Sequence, residues 1–129
     1  MKDSFKILMV LNWKKAKNRF NKKGKKMSIV RINAITVPEG AGEELHKRFE
    51  NRVREVETME GFESFELLRP SSESNTWYVY TRWESEEAFL SWVSSPAFAR
   101  GHAQASEQPV AHGSELLSFD VVLTAQAKG

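Results

Sequence analysis

The chain of 129 residues contains no cysteine. That excludes disulfides, thiolate metal ligands and cysteine nucleophiles, and it fits a reducing, cytoplasmic setting. Long hydrophobic runs are missing too. The segment Phe5-Lys-Ile-Leu-Met-Val-Leu-Asn-Trp13 is too short and too charged to span a bilayer. Most of the nearby charges follow it, and no small-residue cleavage site appears, so it does not read as a secretory signal. Acid is scarce at the start: residues 1–26 hold ten Lys/Arg against Asp3 alone, a charge of +9. The whole chain carries +2, which leaves −7 on residues 27–129. The basic balance therefore belongs to the extension, and the remainder would repel phosphate, so no nucleic-acid partner is expected. There is no Gly-rich phosphate loop, no nucleophile elbow and no His-Glu-x-x-His motif.

The length and an ordinary apolar content fit one domain, expected over residues 27–129. Eight Phe, four Trp and two Tyr supply the area for its core. The extension 1–26 has three readings: a disordered basic tail, an anchor for a membrane surface or acidic partner, or a misassigned start with Met27 as the true first residue. The third is favoured. Met27 directly precedes a strand-like run, and Lys22-Lys-Gly-Lys-Lys26 implies a purine-rich coding string of ribosome-binding type just before it.

Ser28–Val37 is rich in β-branched residues and reads as a strand. Pro38–Gly42 is a turn. From Glu43 to about Met59, Leu45, Phe49, Val53 and Val56 recur at helical spacing, and Gly61 closes the segment. Phe62–Arg69 and Thr76–Trp83 read as strands joined by the polar turn Pro70–Asn75. Ser85 with Glu86 and Glu87 opens a helix running to about Val93. Ser94-Ser-Pro96 breaks it, and Ala97 to about Ser106 forms a second short helix. Ser114–Thr124 is the last strand. The order β-α-β-β-α-β is the ferredoxin-like split arrangement, an α+β fold with a four-stranded antiparallel sheet and helices on one face.

The strands are apolar on both parities. Ile29, Ile35 and Val37 oppose Val30, Ile32 and Ala34; Phe65 and Leu67 oppose Phe62 and Leu68; Leu117, Phe119 and Val121 oppose Leu116 and Val122. Helices can cover only one of the two faces, so a homodimer with sheets packed face to face is expected.

Four residues stand out chemically, each with two readings. His102 follows Pro96-Ala-Phe-Ala-Arg-Gly, and no second His or paired carboxylate lies at ligand spacing. It is a half-exposed surface histidine, or a lone axial ligand to an iron whose other ligands a porphyrin supplies. Trp92 shares a helix face with Ala88 and Phe89; it is a core side chain, or its indole protrudes into a cavity. Asn33 sits mid-strand, where Asn is depleted; its amide pairs with backbone, or faces a ligand. Arg52, between Phe49 and Val56, snorkels to solvent, or stands at a pocket mouth to meet a carboxylate. His46 lies on the polar side of its helix and His112 in a Gly-flanked loop.

The strings Arg48-Phe-Glu-Asn-Arg52, Glu57-Thr-Met-Glu-Gly-Phe62, Trp83-Glu-Ser-Glu-Glu-Ala-Phe-Leu-Ser-Trp92 and Phe98-Ala-Arg-Gly-His102 together resemble the IsdG-type heme-degrading monooxygenases. These belong to the antibiotic-biosynthesis-monooxygenase superfamily of dimeric α+β barrels. The resemblance covers residues 28–124. It implies that Asn33, Trp92 and His102 form a heme site: His102 as the axial iron ligand, Asn33 as a hydrogen-bond donor on the opposite side, and Trp92 pressing on the porphyrin plane. Phe49 and Arg52 would line the mouth. Heme would be both cofactor and substrate, with molecular oxygen and an external electron donor or reductase as the other participants, and iron as a product. Two alternatives remain: a cofactor-free quinol or polyketide monooxygenase of the same superfamily, and a heme-binding module without turnover.

Overall fold

The computed structural model describes residues 27–107, 111 and 113–128. The extension 1–26 and His112 lie outside the described residues, and with them the expectations placed there. Seven elements follow in order: β1 (Ile29–Thr36), α1 (Gly42–Val56), β2 (Phe62–Leu68), β3 (Thr76–Trp83), α2 (Glu86–Val93), α3 (Pro96–Glu107) and β4 (Gly113–Asp120). The sheet order is β2-β3-β1-β4, antiparallel throughout. This is the expected ferredoxin-like arrangement, with its second helical segment divided into α2 and α3. Among the described residues no helix is long and apolar enough to cross a membrane.

Odd-numbered residues of β1 face the helices. Ile29 joins a core cluster with Trp83, Phe89, Val93 and Val56, and Ile35 joins a second with Trp77, Val79 and Leu45. Phe65 packs against both. Trp83 is fully buried, with Phe62 and Phe89 edge-on to it at 5.5 and 5.8 Å. Each large apolar side chain buried this way contributes about 1.5–3 kcal/mol. On the other sheet face Leu68, Tyr78 and Phe119 remain exposed, beside Ile32 and Leu117.

Helix ends differ from the expectations for local reasons. α1 stops at Val56 rather than near Met59. The Thr58 hydroxyl donates to Glu55 O at 2.7 Å, and Thr58 N and Met59 N also bond three residues back, which tightens the chain out of the α-helix. Ser85 caps α2 as read, its Oγ accepting from Ala88 N at 3.1 Å. Pro96 does not merely break the helix; it starts α3. Ser95 Oγ accepts from Phe98 N at 3.1 Å, and Pro96 takes the first helical position, where its missing N–H costs nothing.

Two strands also differ. In β2 the register shifts between Phe62 and Ser64. This bulge places Phe62 opposite Trp83 on the core face, not on the Leu68 face that strict alternation predicts. β4 ends at Asp120, not Thr124. Its partner β1 begins at Ile29 opposite Asp120, and Val121 N reaches back only to Ser28 O. Val122 and Leu123, beyond that last rung, are 83% and 87% exposed.

Candidate active site

Between the helix layer and the sheet lies a cavity of about 230 Å³. All five residues singled out in the sequence line it: Asn33, Phe49, Arg52, Trp92 and His102. They come from four elements. β1 supplies Asn33, α1 supplies Phe49 and Arg52, α2 supplies Trp92, and α3 supplies His102. Residues about sixty positions apart thus meet because the split fold lays the second half of the chain over the first strand.

Asn33 sits at the sheet wall, paired in register with Val79 of β3 and Leu116 of β4. Its Oδ1 is buried and has no hydrogen-bond partner among the described residues. An amide left so is costly, about 1–3 kcal/mol, and a side chain aimed at a ligand tolerates it. Of its two sequence readings, the ligand-facing one fits this placement.

The helix wall carries the imidazole. Phe98 lies one turn before His102, with ring centroids 4.3 Å apart and planes at 32°. Trp92 meets Phe98 in an edge-to-face arrangement, with ring centroids 5.9 Å apart. Trp92 is half-buried, packed against the Trp83 cluster while lining the cavity, so both of its readings apply at once. Burial, reinforced by the Arg52 cation, holds the His102 pKa below its ordinary value. The imidazole is therefore neutral near pH 7, the form that can ligate a metal.

Arg52 does not snorkel away. Its Cζ lies 4.8 Å from the centroid of Phe49, and its guanidinium packs against the backbone of Gly101 so closely that a Cβ there would be 2.4 Å from Nη2. Burial lowers its pKa, opposed by Glu55. The side chain stays a cation, turned toward the cavity beside His102.

Sequence reasoning missed several lining residues. Phe98 was legible as the residue four positions before His102, hence on its face. Arg31 was legible as the residue two before Asn33, hence on its face too. It forms a buried ion pair with Glu86, the first residue of α2. Gly101 carried no signal beyond adjacency to His102. Among the described residues no group of three or more His, Asp or Glu could hold a metal ion. His46 stands away from the cavity, exposed beside Glu43 and Glu50.

A four-stranded antiparallel sheet with helices on one face and a cavity between them defines a class. The family model for antibiotic biosynthesis monooxygenases matches residues 28–104, and the chain belongs to that family. More particularly, it is 50% identical over 103 residues to the mycobilin-producing heme oxygenase of Mycobacterium tuberculosis, an alignment spanning 80% of this chain and 97% of that one. A solved structure of the heme degrader MhuD from the same organism, with two hemes bound in its active site, matches with a TM-score of 0.64 and 49% identity, covering 76% of this chain and 99% of that one. The cofactor-independent oxygenase SnoaB of Streptomyces nogalater matches with a TM-score of 0.65 but only 21% identity, covering 75% of this chain and 95% of that one, and shares the fold alone.

Proposed function

We propose that this protein is an oxygen-dependent monooxygenase that binds heme in the cavity, cleaves its porphyrin and releases the iron. One observation carries the reading. Asn33, whose Oδ1 is buried without a hydrogen-bond partner among the described residues, and a neutral His102 on α3 line the same largely apolar cavity, in a chain half identical to a heme oxygenase. That identity favours this reading over the cofactor-free alternative, whose representative shares only the fold.

The donor set fits the group. A single neutral imidazole suffices for iron when the porphyrin supplies its other in-plane ligands. Bound heme supplies both the iron that activates oxygen and the ring carbon that is oxidised. The protein's own residues hold and orient it. His102 would hold the iron through an imidazole nitrogen, with Phe98 packed against its ring. Asn33 presents its amide from the opposite wall as a hydrogen-bonding group. Trp92 presses on the ring from α2. Arg52 pairs with a carboxylate of the ligand at the mouth, over Phe49. The electrons come from an external reductant, and the setting is cytoplasmic. The exposed sheet face around Tyr78, Leu68 and Phe119 supports a homodimer, with a second copy covering it.

Titrating the protein with hemin tests the reading. A Soret shift is expected in the wild type and its loss in His102→Ala; no shift in the wild type rejects heme binding. Reductant under oxygen is then expected to bleach the Soret band and release chelatable iron. A band that persists identifies a binder without turnover.

A further inference from the structure

Two opposite charges lie buried at the wall of the cavity, which Arg31 lines and Glu86 backs. The side chains of Arg31 and Glu86 are each only 4% exposed and form an ion pair with one another. Arg31 Nη1 also donates to Val30 O at 2.9 Å and to Phe119 O at 3.2 Å. Its guanidinium lies 5.7 Å from the centre of the Phe89 ring. The Thr81 hydroxyl donates to Arg31 O at 2.9 Å. Buried ion pairs are a poor source of stability, because desolvation of both charges offsets most of their attraction. Apolar residues of similar volume often replace such a pair without loss of stability, and in some proteins what a buried charge pair contributes is one fixed register between two elements.

The elements it joins are the ones that carry the site. Arg31 and Asn33 are two residues apart on one face of β1. Glu86 opens α2, and Trp92 stands near the other end of that eight-residue helix, about 9 Å further along its axis at 1.5 Å per residue. Phe89, one turn before Trp92, touches the cavity as well. Ala88, Phe89 and Val93 bury the apolar side of this short helix in the cluster with Ile29 and Trp83, and the Arg31–Glu86 pair adds a directional contact at its first turn. Ser85 caps its backbone but does not tie it to β1.

We infer that the Arg31–Glu86 pair is a positioning device, which sets the rotation and axial placement of α2 on β1 and thereby the distance between Trp92 and Asn33 across the bound ligand. The inference rests on the heme-degrading reading and deepens it. Neither charge is a catalytic residue. Both act through Trp92.

The test removes both charges at once, since removing one takes away the other's counter-charge at a buried place. In the ligand-free Arg31→Met/Glu86→Leu protein, the Trp92 indole N–H resonance, assigned with Trp92→Phe, is expected to shift or broaden. Trp77, in the other core cluster, serves as the fixed reference. With hemin, affinity is expected to stay within about threefold and turnover to slow about tenfold or more, as a misplaced contact of about 1 Å can cost. Adding Trp92→Phe is expected to slow it no further, because the pair and Trp92 act in series. An unmoved Trp92 resonance in the folded double variant overturns the inference, and so does slowing that multiplies with Trp92→Phe. If the double variant does not fold, Glu86→Asp decides: it keeps both charges and shortens the tie by one methylene. An unchanged Trp92 resonance and unchanged turnover there overturn it equally. A wild type that fails to consume hemin rejects the functional reading instead, while the ligand-free resonance still tests the tie.

Discussion

The ring of Phe98 lies against the imidazole of His102, 4.3 Å between centroids, one helical turn away on α3. An aromatic pair of this kind is worth about 0.5–1.5 kcal/mol beyond its buried area. Phe98 thereby limits how far the imidazole can rotate. Phe98→Leu keeps most of the bulk and loses the ring contact. Hemin affinity is expected to fall about two- to tenfold, read by Soret titration. Equal affinity would mean that the helix backbone alone orients His102.

Asn33 should show a conflict between stability and function. Its Oδ1 is buried without a partner. Asn33→Leu fills the space and removes the unsatisfied group, so the ligand-free protein should gain about 1 kcal/mol, seen as a higher urea midpoint at constant slope. Turnover should fall sharply in both Asn33→Leu and Asn33→Ala, while hemin binding through His102 persists in Asn33→Ala. Unchanged iron release in Asn33→Ala would remove Asn33 from the mechanism.

Acid should weaken the fold through His102. Its pKa in the folded chain lies below the ordinary 6.5, first from burial and then from Arg52. As the pH falls, the unfolded chain takes up this proton before the folded one does. Stability contributed by the neutral ring is therefore complete above about pH 6.5 and declines as the pH falls toward the folded pKa. His102→Gln should show a smaller loss of urea midpoint between about pH 7 and pH 5 than the wild type. Parallel curves would contradict this.

Gly101 seats Arg52. A methyl group there would meet the guanidinium at 2.4–2.6 Å. Alanine suits a helix better than glycine by about 1 kcal/mol, so α3 should survive Gly101→Ala. The flexible side chain of Arg52 is what must give way. The His102 pKa should then rise toward its ordinary value, because the Arg52 charge that lowers it moves off. An imidazole NMR titration reads this directly, and no rise would show that Arg52 stays in place.

Much of this was legible before the structure. Element order followed from β-branched runs and the Leu45, Phe49, Val53, Val56 spacing, because burial on one face imposes a period. The five residues proposed for the site line one cavity, but what singled them out together was resemblance: a lone His102 or a mid-strand Asn33 has an equally good structural explanation. What stayed hidden depends on tertiary geometry. A bulge at Glu63 put Phe62 on the core face against its alternation. β4 ended where β1 gave it no further partner. Arg52 turned inward because Gly101 left room for it. Arg31 and Glu86, fifty-five residues apart, carry no local sign that they meet.

The strand that holds Asn33 is hydrogen-bonded along both edges, to β3 and to β4. Its amides are expected to exchange with solvent only on wide opening of the sheet, whereas α3, which holds His102 and has many exposed or half-exposed side chains, is expected to open locally. A ligand held between them bridges the slowest and the faster-exchanging parts of the molecule. Loading the cavity should therefore slow amide exchange mainly in α3 and leave β1 almost unchanged, and ligand release should follow the local opening of that helix rather than the unfolding of the protein.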